Sequence, residues 1–135
     1  MGTVDQHIKQ WQHNRCLLST LPPECPDWIV TISFYAALHA IDAMLHTQGV
    51  FNFNSHSTRH EVLINITQYE FIAKKQLPFY NLSRTVRYTA DPTKWVPLAL
   101  VEKEVFGRYL YPIENSVFKF MGKPYEFERI TLRKS

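Results

Sequence analysis

The chain has 135 residues, 45% of them hydrophobic and 14% aromatic, with a formal net charge of +3 at pH 7. That length suits one domain with a core of its own, and the composition excludes an intrinsically disordered chain. The charge is too small to demand a nucleic-acid partner, and two cysteines, Cys16 and Cys25, are too few for a disulfide framework and fit a reducing compartment.

From Thr3 to about Ser19, Val4, Ile8, Trp11, Arg15 and Leu18 trace one helical face, with Thr3 as N-cap ahead of Asp5. The opening MGTVDQHIKQ lacks the basic-then-apolar pattern of a secretory signal, so a cytoplasmic location is the default expectation. LPPECP then breaks the chain, because proline cannot continue a helix.

Asp27 to Gln48 reads as a second helix, apolar on almost every side and therefore belonging in a core. Asp27 serves as its N-cap and Gly49 suits the left-handed position that ends it. Because His39, Asp42 and His46 interrupt the apolar run, a membrane span is not expected. Tyr35, His39, Asp42 and His46 follow the i, i+4, i+7, i+11 spacing of one helical face, so the most buried helix carries a polar stripe.

After the loop VFNFNSHS, Thr58 and Glu61 form a T-x-x-E capping box that opens a third helix. Val62, Ile66, Tyr69 and Ala73 give it a core face, with Lys74 and Lys75 at its end to complement the dipole. Pro78 suits the first position of a fourth helix running to Tyr88, with Leu82 and Val86 inward and Tyr80, Arg84 and Arg87 on the other side. Beyond Asp91-Pro92 a long helical pattern runs from about Thr93 to Met121, where Pro97 fits the first turn and Pro112 predicts a kink or a split. These five helices predict an all-α antiparallel bundle over residues 1–121, followed by a basic tail, 122–135, with Lys123, Arg129, Arg133 and Lys134. Only Tyr125 to Leu132 carries any trace of strand alternation.

Tyr35, Ala36, Ala37, Leu38, His39 and Ala40, followed by Ala43, Leu45 and Gly49, match the pattern Y-A-x-x-H-A-x-x-A-x-L-x-x-x-G, and His56 and Arg87-Tyr88 follow at later positions. Over roughly half its length the chain thus resembles the HEPN domains, an all-helical family found across prokaryotes and eukaryotes. The resemblance implies a bundle that often dimerises, serves in toxin–antitoxin or antiviral systems, and in many members cleaves RNA. Nucleases of that family carry an arginine followed four to six residues later by a histidine. No arginine here precedes a histidine at that spacing, and His60 is the last histidine.

Each candidate feature has a functional and a structural reading. The stripe on the second helix is a metal or acid–base face, or else a buried hydrogen-bonded network; zinc needs three or four ligands and the spacing is not H-E-x-x-H, so no metal is assigned. His56, Arg59 and His60 lie at a helix start that favours anions, or are exposed residues beside a cap. Arg84 and Arg87 with Tyr80 and Tyr88 suit phosphates and stacked bases, or else an arginine pairs with Asp42 or Glu104. Cys16 and Cys25 match no metal or redox spacing, and Ser19, Ser33 and Ser83 lie in no nucleophile elbow. The site expected from the sequence is therefore His39, His56 and Arg87 for catalysis, with Arg59, His60, Arg84 and Tyr88 holding RNA or a nucleotide. No cofactor and no membrane contact are expected, and a homodimer or a protein partner is. The rival expectation is a non-catalytic helical module that docks on a larger protein or on its own copy.

Overall fold

The computed structural model describes residues 2–51, 53–122 and 127–133. Among these the regular structure is entirely helical, in an all-α bundle. Helix α1, Val4–Leu18, is capped as expected: the Thr3 hydroxyl accepts from the Gln6 N–H, and the Gln6 side chain accepts from the Thr3 N–H. Its buried face runs through His7, Trp11, Asn14 and Leu18, while Val4, Ile8 and Arg15 lie beside it, half-buried.

Helix α2, Pro26–Thr47, is the centre of the bundle, packed against α1 and against the later helices. Its cap lies two residues earlier than expected: Cys25 is the N-cap and Pro26 opens the helix, so Asp27 sits in the first turn, where its charge complements the helix dipole. Gly49 ends it at φ +80°, a conformation open to glycine at no steric cost. Its 1.5 mean hydropathy and its length are those of a membrane-crossing helix, yet 78% of that apolar window is buried inside the bundle. Its hydroxyls bond back onto its own turns, Thr31 to the Asp27 carbonyl, Ser33 to Ile29 and Thr47 to Ala43.

The next two helices divide differently from the sequence expectation. Helix α3, His56–Asn65, starts earlier, with Ser55 as N-cap and Thr58 as the reciprocal partner, so Thr58 is the third residue of the box and not its first. It stops where Ile66 turns extended, φ −104° and ψ 109°, and a 3₁₀ turn at Thr67–Tyr69 lets the chain double back. Helix α4, Glu70–Tyr88, then runs straight through Pro78 and packs on both α2 and α3. Pro78 costs the helix one hydrogen bond and about 3 kcal/mol of propensity. It is tolerated because Pro78 and Lys74, whose carbonyl loses its donor, both face solvent, while Ile72, Ala73, Gln76, Phe79, Ser83 and Val86 continue one buried stripe across it.

The C-terminal pattern folds as one rod over residues 98–120. Helix α5, Leu98–Val101, passes into π-helical winding at Glu102–Leu110 and then into α6, Tyr111–Phe120. Pro112 does not split it: the Tyr111 N–H still bonds five residues back, to the Phe106 carbonyl, and Pro112 enters where the ladder is changing spacing. Gly107 suits the wide turns, since a Cβ there would lie 3.3 Å from the Glu102 carbonyl oxygen. Pro97 stands at the N-cap of α5, just before its first turn.

The tail described here is not a strand but a coil laid on α1 and α6. Phe127 packs near Trp11 and Phe118 and under the Arg15 guanidinium, 4.8 Å from its centre, and the Ile130 N–H donates to the Tyr111 hydroxyl at 2.8 Å. Lys123, Tyr125 and Lys134 lie outside the described residues. Beneath this tail sits Glu114, fully buried, accepting from Trp11 Nε1 at 2.6 Å and from Arg15 Nε at 2.6 Å. Burial pushes the Glu114 carboxyl up, and the Arg15 guanidinium and the Trp11 and Arg15 hydrogen bonds pull it back. Glu114→Ala removes the carboxylate that the Trp11 indole and the Arg15 guanidinium both donate to, and is expected to cost about 3–5 kcal/mol, read as a lower urea midpoint. A loss below about 1 kcal/mol contradicts an anchoring role for Glu114.

Candidate functional site

The polar stripe of α2 finds its partners on three other helices. Arg87, on α4, donates through Nη1 to the Tyr35 hydroxyl at 2.7 Å and through Nε to the Ser83 carbonyl. Arg59, on α3, grips both carboxylate oxygens of Asp42, Nε to Oδ1 at 2.6 Å and Nη2 to Oδ2 at 3.0 Å, with both side chains buried. His39 meets His7 of α1, Nδ1 to Nδ1 at 2.9 Å, and His46 stacks on the His7 ring, 5.3 Å between centroids at 23°.

Arg59 is thus not an exposed residue beside a cap. Its planar fork satisfies one carboxylate in the interior, where a lone charge on either residue would be strongly destabilising. His7 was not singled out in the sequence, although its spacing to Trp11, Asn14 and Leu18, at i+4, i+7 and i+11, puts it on the buried face of α1. Burial lowers the affinity of both His7 and His39 for a proton; for His39 the neighbouring His7 adds to this, while Asp42 opposes it. Among the described residues no group of three or more His, Cys, Asp or Glu side chains is placed to hold a metal ion.

His56 and Arg87 lie in a second, aromatic neighbourhood. The His56 ring sits 4.5 Å from the Tyr80 ring and 5.8 Å from Phe34, which itself packs against Tyr35, Phe79 and Tyr80. Burial disfavours the His56 imidazolium, and the positive charges of Arg59 and Arg87 disfavour it further. His56 Nδ1 is buried with no hydrogen-bond partner. The arrangement joins a neutral imidazole, a base near neutral pH, to a guanidinium held by a tyrosine hydroxyl.

A separate surface of α4 faces solvent. Asn81, Arg84, Thr85, Tyr88, Thr89 and Lys94 line one shallow hollow. Tyr88 is 76% exposed and lies over the Arg87 guanidinium at 5.4 Å. Lys94 was not foreseen from the sequence; it arrives through the 3₁₀ turn Pro92–Lys94, capped by Asp91, whose carboxylate accepts from the Thr93 hydroxyl and N–H. Those two bonds hold the Asp91 carboxyl below its usual range.

The expected residues therefore separate into groups. His56 and Arg87 share the aromatic neighbourhood, and Arg84 and Tyr88 line the hollow beside it. His39 is engaged with His7, Arg59 with Asp42, and His60 with Gln76 through Nδ1 at 3.3 Å. His60 also borders a separate apolar hollow with Ile64, Ala73, Leu77 and Pro78. No family model, curated protein or solved structure matches the chain.

His7, His39 and His56 each bind a proton less readily in the folded chain than at the ordinary imidazole value of 6.5. As pH falls through that value the unfolded chain takes up protons that the folded chain refuses, so stability is complete above it and is lost on acidification. The urea midpoint is expected to fall between about pH 7.5 and about pH 5.5, and His56→Gln to reduce that fall. A midpoint constant over this range contradicts the assignment.

Proposed function

We propose that this chain is a HEPN-like bundle that binds RNA or a nucleotide in the cytoplasm, within a prokaryotic defence or toxin–antitoxin system, as a homodimer or with a protein partner. The observation carrying this reading is the neighbourhood of His56 and Arg87 around Tyr35 and Tyr80, with Arg87 in contact with the ring of Tyr88, which lines the hollow of Arg84 and Lys94. Guanidinium and ammonium groups suit phosphate, and an exposed tyrosine ring suits a base. In a cleavage step His56 takes the proton of the ribose 2′-hydroxyl as its oxygen bonds to phosphorus, the bond to the 5′-oxygen breaks and that oxygen takes a proton from water, and Arg87 stabilises the charge growing on the phosphate oxygens. The arginine-to-histidine spacing of the family's nucleases is missing, so binding is the primary assignment and His56 with Arg87 a substitute site.

A second reading, a non-catalytic interaction module, draws on the apolar hollow of α3 and α4. Ile64 is 55% exposed and Leu77 39%, with Phe71 exposed on the same helix as Leu77.

Fluorescence anisotropy of a labelled single-stranded RNA, titrated with salt, tests the first reading. Binding is expected to weaken with salt, Arg84→Ala and Lys94→Ala each to lower the salt slope by about 1, and Tyr88→Ala to cost about 1–3 kcal/mol. RNA cleavage with EDTA present is expected to vanish in both His56→Ala and Arg87→Ala. No RNA binding at low salt, together with a dimeric solution mass that Leu77→Glu reduces to the monomer, favours the interaction module instead.

A further inference from the structure

The contact between His7 and His39 has an unusual proton requirement. Two Nδ1 atoms at 2.9 Å form a hydrogen bond only when one carries a proton and the other a lone pair. One extra proton can be accommodated on an Nε2 atom. Two cannot, because both Nδ1 atoms then point N–H at N–H.

The surroundings make even the first extra proton costly. His7 is 9% exposed and its Nε2 is buried with no partner, so a proton there is an unsatisfied donor. Among the described residues, the charged and titratable groups facing the pair are Asp42 and His46 on α2 and Arg59 on α3. Asp42 alone attracts an imidazolium, and both of its oxygens are already committed to Arg59. The stacked His46 ring has a buried, unpartnered Nε2 of its own and adds no acceptor.

The two ends of α1 are held very differently. From Trp11 onward the helix is fixed by the Trp11 and Arg15 bonds to Glu114 and by the fully buried Leu18. Before Trp11, His7 is the one buried residue of the helix; Asp5, Gln6, Lys9 and Gln10 are exposed, and Val4 and Ile8 only half-buried. Segments with few buried contacts open at the lowest free energy.

We propose that the first two turns of α1 are an acid-released latch: full protonation of the His7–His39 pair frees residues 4–10 from α2, while 11–18 stay docked on Glu114. Release uncovers the His39 and His46 side of α2. The latch does not depend on any ligand or on RNA binding.

Amide hydrogen exchange of the full chain, corrected for the intrinsic pH dependence of exchange, tests this at about pH 7.5 and about pH 5.5. Protection over residues 4–10 is expected to fall by about tenfold or more relative to residues 12–18 on acidification. His7→Phe, which keeps a ring for stacking, and His39→Gln, which hydrogen-bonds without titrating, are both expected to remove the pH response; circular dichroism at the higher pH checks their fold. The proposal is overturned if the wild-type chain loses protection equally over both segments. It is equally overturned if the preferential loss persists in either folded variant.

Discussion

A largely buried helix holds polar side chains at least cost when its neighbours bring partners to them. α2 is such a helix, and the desolvation of Tyr35, His39, Asp42 and His46 is the constraint from which the arrangement of the bundle follows. An unpaired carboxylate at Asp42 would cost several kcal/mol in an apolar interior. Arg59 removes that cost with a two-pronged bond, and Arg87 and His7 do the same for Tyr35 and His39. Tyr35, Asp42 and His39 thereby each specify where a different helix must lie, α4, α3 and α1 in turn.

This gives the Asp42–Arg59 pair a role in position more than in net stability. A buried ion pair roughly breaks even against a well-packed apolar pair of the same volume, because two charges must be stripped of water to form it. Removing one partner is what costs heavily. α3 is short and packs chiefly on α4, so its bond to α2 through Arg59 sets its depth and rotation in the bundle. That rotation carries His56 to the Phe34 and Tyr80 rings and, with α4, to Arg87. The Glu114 node works alike at the other end, tying α1, α6 and the packed tail together.

The helices themselves were legible wherever local chemistry is strong. Thr3 as a cap, Gly49 as a stop and the apolar circumference of α2 are read directly from residue type and spacing. The misplaced boundaries have one cause, that propensity is worth less than burial. Pro78 and Pro112 each argue for a helix start or a break, yet the buried stripes of α4 and of the C-terminal rod continue past them, and the cost is absorbed on an exposed face or in π-helical winding. The true box at α3 was hidden because Ser55 and Thr58 compete with Thr58 and Glu61 for the same cap, and the fold chose the earlier pair.

By itself the sequence determined an all-helical bundle, the central place of α2, the polar face that α2 carries and the collection of arginines and tyrosines on one side of α4. These depend on periodicity and on residues within a few turns of one another. Which partner each polar residue takes was decided only by the tertiary structure. Asp42 and Arg59 are 17 residues apart, His7 and His39 are 32, Tyr35 and Arg87 are 52, and Arg15 and Glu114 are 99. Nothing in local spacing distinguishes Arg59 from Arg84 as the counter-ion of Asp42, because both have the same chemistry. The packing of helices around a largely buried one made that choice, since it buries Arg59 beside Asp42 and leaves Arg84 facing solvent.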